Sequence, residues 1–216
     1  MYLTAERIMG DKRSALVAAF SYSLFGYHLL NSHVRGDTVE LMDYAWIPLV
    51  FYTILHLISA KTGRNRIMLF VASASLLSLT ILTHLLIGFL VLVWIIFFLV
   101  WLHVFPLESR LDKKSIAYTS LSIVAGLSLS AWFLAPALLE KGFFRVSTLN
   151  EEYFMITNHF MELSQFFVRR TWSSWWLTSP TWPIYLGNSI LWIAFFSSIY
   201  LFRERKRLKR SVYAFM

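Results

Sequence analysis

The chain has 216 residues, 57% of them hydrophobic, 18% aromatic and only 15% charged. Soluble domains carry about 25% charged residues, so this is the composition of a membrane protein and not of a soluble enzyme. Cysteine is absent, which excludes disulfides and cysteine-based metal or redox centres. The net charge of +8 sits in short loops and a tail, a distribution that fits membrane topology and argues against nucleic acid.

In chain order, residues 1–9 read as the cytoplasmic end of an earlier span, with Gly10-Asp11-Lys12-Arg13 as a turn. No compact basic region followed by a small-residue cleavage site marks a signal peptide. The first complete span is expected over 14–31. A polar loop, 32–40, leads to a second span over 41–60. Residues 67–107 then contain no Asp, Glu, Lys or Arg. As one helix these 41 residues would be roughly 60 Å long, against a hydrocarbon core of about 30 Å. They must therefore fold back as a helical hairpin of spans 67–83 and 85–105, turning at Thr83-His84 with Gly88 just beyond. A fifth span is expected over 115–137 and a sixth over 184–202. The fold class is thus all-α, a polytopic transmembrane helical bundle of about six spans. Span 67–83 carries Ala72, Ser73, Ala74, Ser75 and Ser78. Span 115–137 carries Gly126 and Ser130 in small-xxx-small spacing. Both are faces for close helix packing.

The loops orient the bundle. Fifteen Lys and Arg residues fall on one side: Arg7, Lys12 and Arg13, then Lys61, Arg64 and Arg66, then Arg110, Lys113 and Lys114, and six within 203–210. Five fall on the other: Arg35, Lys141, Arg145, Arg169 and Arg170. The cation-rich side is expected in the cytoplasm, with both termini there, and the tail 203–210 as an anchor on anionic membrane lipid. The chain reads as a single cell-membrane domain, 1–216, and as a piece of a longer membrane protein.

Two polar regions then face outward. The longer, 138–183, exceeds a simple connector. Within it, Tyr153, Ile156, Phe160, Leu163 and Phe167 recur at helical spacing over 151–168, opposite Glu151, Glu152, Asn158, His159, Glu162 and Gln165. That pattern is an amphipathic helix in the interface. Trp172, Trp175, Trp176 and Trp182 follow, an interfacial belt or the wall of a groove for a lipid-linked ligand.

The shorter region, His33-Val34-Arg35-Gly36-Asp37-Thr38-Val39-Glu40, with Asp43 a turn later, concentrates the ionisable groups. Charge at the hydrocarbon boundary is costly and often marks a site. Arg35 offers a planar fork of donors for phosphate or carboxylate. Asp37, Glu40 and Asp43 can ligate a hard divalent cation such as Mg or Mn, or one can take a proton from an acceptor hydroxyl. The local alternative is that Arg35 pairs with Glu40 and that acidic residues simply favour a helix start. His84 is level with this loop, as a pocket residue or a hydrogen-bonded turn residue. Glu140 ends the fifth span on the same side, either joining that pocket or as a solvated helix end. No Gly-rich phosphate loop, His-Glu-x-x-His helix or Gly-x-Ser-x-Gly elbow is present.

Three stretches carry a family likeness. They are Tyr27-His28-Leu29 with Val34 to Glu40 and Ile47-Pro48-Leu49; Leu82-Thr83-His84; and Pro136-Ala137-Leu138-Leu139-Glu140 with Tyr153, Asn158-His159-Phe160, Leu163-Ser164-Gln165 and Leu186-Gly187. In that order the chain resembles the 6-pyruvoyl-tetrahydropterin synthase-related membrane proteins, close to the bacterial YfhO-type proteins, over about 1–190. These are similar to the GT-C glycosyltransferases, multi-span enzymes that transfer sugar from a polyprenyl-phosphate donor outside the cytoplasm. The resemblance implies that Arg35 binds the donor phosphate and that Asp37 and Glu40 are catalytic, holding a metal or the acceptor hydroxyl. It further implies that His84, Glu140, His159 and Gln165 line the substrate pocket. GT-C enzymes usually carry a key acid in the loop between their first two spans, and that loop would lie upstream of Met1. The alternative function is a non-catalytic membrane protein, a lipid or sugar-lipid transporter or an assembly partner.

Overall fold

A computed structural model describes residues 1–60, 63–104 and 113–143. Every regular element among them is helical. The expected interfacial helix 151–168, the tryptophan belt, the span 184–202 and the tail 203–210 lie outside the described residues, as do His159 and Gln165.

Helix α1 (Tyr2–Met9) ends at Gly10, whose left-handed backbone (φ 69°) lets its amide return to the Glu6 carbonyl. Asp11 then caps α2 (Lys12–Ser23), its carboxylate accepting from both the amide and the hydroxyl of Ser14 at 2.7 Å. Those bonds hold the Asp11 carboxyl below the usual carboxylate range. Helix α1 packs along α4 (Thr38–Ser59): Thr4 donates to the Pro48 carbonyl at 2.6 Å and Arg7 to Ser59 at 2.9 Å.

The expected span over 14–31 is not one continuous helix. The chain divides it into α2, a break at Leu24-Phe25, α3 (Gly26–Leu30) and a wide π-turn, Asn31–Arg35. Its apolar count is that of a span, but Ser21, Ser23 and Gly26 are weak helix formers grouped at the break. There the Leu24 and Phe25 amides return to Phe20 and Tyr22. Past the π-turn, Gly36 is again left-handed (φ 64°), and the Asp37 amide reaches back to the Asn31 carbonyl at 3.2 Å. Such turns recur at functional sites.

The hairpin forms as expected. Helix α5 (Gly63–Thr83) turns at His84 into α6 (Leu85–Val104). A Cβ on Gly88 would lie 2.7 Å from the Ile81 Cα, so only glycine permits the two helices to approach this closely beside the turn. Phe51 of α4 and Phe98 of α6 meet edge to face at 5.3 Å, each thirteen residues past its helix start. Helices α4 and α6 therefore run the same way from one face, with α5 returning between them.

The core of the described residues is a cluster of Val50, Ile54, Leu55, Leu77, Ile81, Val91, Ile95 and Phe98. Helix α7 (Lys113–Leu129) closes on α5 through the predicted small residues. A Cβ on Gly126 would sit 3.0 Å from the Ala74 carbonyl, and the Ser78 and Ser130 hydroxyls share a hydrogen bond of 2.9 Å. At Ser130 the chain bends by 64° into α8 (Ala131–Leu139). The Ser130 hydroxyl bonds back to the Gly126 carbonyl, a substitution for helix geometry that bends helices.

Helices α4 and α5 are long and apolar enough to cross a membrane, and α7 with α8 makes a third if the bent pair is one broken span; α6 adds a shorter apolar stretch, Leu85–Trp101. Side chains that face outward are apolar: Phe89, Trp94 and Ile96 are each 60% exposed. A surface of that kind suits lipid and not water.

A candidate site at the N-terminal end of α4

Asp37 is the N-cap of α4, its Oδ1 accepting from the Glu40 amide at 3.1 Å. Glu40 stands at the third helical position, where a capping-box glutamate would reach back to the cap amide. Here that amide already bonds to Asn31, and the Glu40 carboxylate turns inward instead. It accepts from the Asn31 side-chain amide, from the Tyr44 hydroxyl at 3.1 Å and from the Tyr27 hydroxyl at 3.3 Å. The Nε2 of His84 lies 4.0 Å from its other oxygen. Glu40 is buried at 8% exposure, and Asn31 is fully buried.

Each neighbour is placed by a local device. Tyr27 and Asn31 are four apart, one turn across α3 and the π-turn, so they present a hydroxyl and an amide together. Tyr44 is one turn beyond Glu40. His84 caps α6: its Nδ1 accepts from the Ile87 amide at 3.4 Å. An accepting Nδ1 leaves the neutral ring's proton on Nε2, the nitrogen that faces Glu40. Behind Tyr44, the His28 ring stacks at 3.9 Å and Tyr22 meets His28 edge-on at 4.6 Å.

Pro48 explains the placement of Tyr22. Proline has no amide hydrogen, so the carbonyl four residues earlier, that of Tyr44, loses its helical donor. The Tyr22 hydroxyl supplies the missing bond at 2.8 Å. A proline within α4 and a tyrosine on α2 are thus one feature.

Among the sequence-predicted residues, the fold brings Glu40 and His84 together and sets Asp37 beside them as a cap. Arg35 lies at the end of the π-turn, and its side chain is outside what is described, as is the expected Arg35–Glu40 pair. Glu140 is exposed at the end of α8. The expected divalent metal finds no grouped ligand set among the described residues. Glu40 is already occupied by hydrogen-bond donors, Asp37 by the cap, and no three or more His, Asp or Glu side chains among the described residues are grouped to hold an ion. Tyr22, Asn31 and Tyr44 were missed. Their signals were a tyrosine one turn after a membrane-boundary glutamate and a proline four residues after that tyrosine.

His84 also borders an apolar groove of about 750 Å³ between the hairpin tip and the α7–α8 bend. Ile81, Leu86, Phe89, Leu127, Leu134 and Leu138 supply much of its wall.

Comparison of the chain with protein-family models, with curated proteins and with solved structures finds no match.

Proposed function

We propose that the chain is part of a GT-C-like glycosyltransferase that takes sugar from a polyprenyl-phosphate donor at the outer membrane face. The observation that carries this reading is the position of His84. It touches both a buried, donor-rich carboxylate and an apolar groove, and a lipid-linked donor needs that adjacency of a dry channel and a polar head site. In this reading the six spans and cytoplasmic termini follow the cation asymmetry, so the N-terminal end of α4 faces out. Arg35 holds the donor phosphate and stabilises it as it departs. Glu40 and His84 orient the acceptor hydroxyl, and Asp37 positions Glu40 through the helix cap. Glu140, His159 and Gln165 belong to the outer rim.

The test is transfer from a polyprenyl-phosphate-linked radiolabelled sugar, using membranes that express the full-length gene. Arg35→Ala and His84→Ala are each expected to reduce transfer roughly tenfold or more, about 1.4 kcal/mol of transition-state stabilisation. Unchanged transfer in Arg35→Ala at normal protein level would remove the phosphate role.

A second reading, a lipid or sugar-lipid transporter, draws on the 64° bend between α7 and α8, since discontinuous helices line transport sites. Movement of a fluorescent lipid across reconstituted vesicles without sugar transfer would favour it.

A further inference from the structure

Asp43 stands one turn beyond Glu40 on the same stripe of α4. The buried residues Glu40, Asp43, Val50, Ile54 and Leu57 follow helical spacing along the core-facing side. Asp43 is 0% exposed, and neither of its carboxyl oxygens has a hydrogen-bond partner among the described residues. The two carboxyls are neighbours in opposite situations. Glu40 has Tyr27, Asn31 and Tyr44 as donors, with His84 facing it, and Asp43 has none.

Donors select which carboxyl of a close pair carries the charge. Among the described side chains, the titratable groups at this end of α4 are Tyr22 of α2, Tyr27 and His28 of α3, His33 of the π-turn, Asp37 at the cap, Glu40 and Tyr44 of α4 itself, and His84 between α5 and α6. Tyr22 is committed to the Tyr44 carbonyl and His28 is stacked on Tyr44. The Arg35 side chain lies outside what is described, and Arg7 of α1 and Arg66 of α5 meet the opposite end of α4, at Ser59 and at the Ala60 carbonyl. Helix α7 brings a hydroxyl there, Ser115 at Ile58. A bare carboxylate sealed from water without donor or cation is strongly disfavoured. Full burial also leaves no path for a hydrated ion.

We propose that Asp43 is a proton-binding site, an aspartic acid that keeps its proton at neutral pH beside the donor-held Glu40 one turn away. This site stands whether or not the protein transfers sugar.

Infrared spectroscopy of the full chain in lipid nanodiscs tests it. At neutral pH a protonated-carboxyl band is expected. It should shift to lower frequency when aspartate is isotopically labelled in its side-chain carboxyl, stay put when glutamate is so labelled, and disappear in Asp43→Asn. Three results would overturn the proposal: no such band, a band that moves only with labelled glutamate, or a band that survives Asp43→Asn. The labelled wild-type protein decides between aspartate and glutamate even if the variant fails to fold.

Discussion

The N-terminal end of α4 and the seam between α5 and α7 are both places where polar residues are buried in an apolar protein, and they are built on opposite principles. At the seam, Ser78, Gly126 and Ser130 are small, and their value is what they leave out: two backbones approach, the Ser78 and Ser130 hydroxyls bond across the seam, and Ser130 also reaches the Gly126 carbonyl one turn back. At the end of α4, Tyr27, Asn31, Glu40 and Tyr44 are large, and directional bonds between four separate segments hold them. The seam tolerates error in direction but not in volume. The cluster tolerates little error in direction, because each lost partner strands another buried group. Chemistry that needs oriented groups belongs to the second kind of construction.

Breaking the cluster should therefore cost most. Glu40→Ala removes an acceptor from an amide and two hydroxyls at once, and the folded protein in detergent is expected to lose about 3 kcal/mol by thermal or chaotrope unfolding. A loss no larger than that of an exposed residue would show that the cluster is incidental. Gly88→Ala comes next. Its methyl must push the Ile81 backbone away at the hairpin tip, and a cost of about 2 kcal/mol is expected on the same measurement.

The pairing of Tyr22 with Pro48 sharpens the comparison further. Tyr22→Phe alone should cost about 1–2 kcal/mol by leaving the Tyr44 carbonyl unpaired. In a Pro48→Ala background, where α4 supplies its own amide, the same change should cost close to nothing. Equal costs in both backgrounds would disprove the link. Gly126→Ala should cost about 1 kcal/mol, because its nearest contact, 3.0 Å from the Ala74 carbonyl, is relieved by a small shift and alanine favours a helix.

The smallest effect is expected at Asp11, which is exposed and outside both regions. Its bonds to Ser14 lower its affinity for protons, so the cap contributes above the ordinary carboxylate range and is lost as pH falls through and below it. Hydrogen exchange at the start of α2 should distinguish wild type from Asp11→Ala at neutral pH and cease to do so in acid.

Much of the packing was legible from residue types alone. An uncharged run too long for one crossing forces a turn, and Thr83-His84 was the polar place for it. Small residues at a spacing of four predicted the seam where Gly126 meets Ala74. The same reasoning did not foresee the break within 14–31, since apolar content says nothing of where Ser21, Ser23 and Gly26 will let a helix stop. The site was legible only in part. Glu40 and His84 were visible as ionisable groups at one depth. Asn31 and Tyr44 were not, because an amide and a phenol are unremarkable until a carboxylate is placed between them.

The sequence by itself determined an all-helical protein with membrane-compatible helices, a hairpin and a close-packed seam, since these follow from length, hydropathy and side-chain volume. Only the tertiary structure decided that Asp37 is spent on a helix cap, that Glu40 gathers the donors and that Asp43 is left with none. Those three carboxylates look alike along the chain. What separates them is which helix ends and turns arrive beside each, and that depends on contacts between segments far apart in sequence.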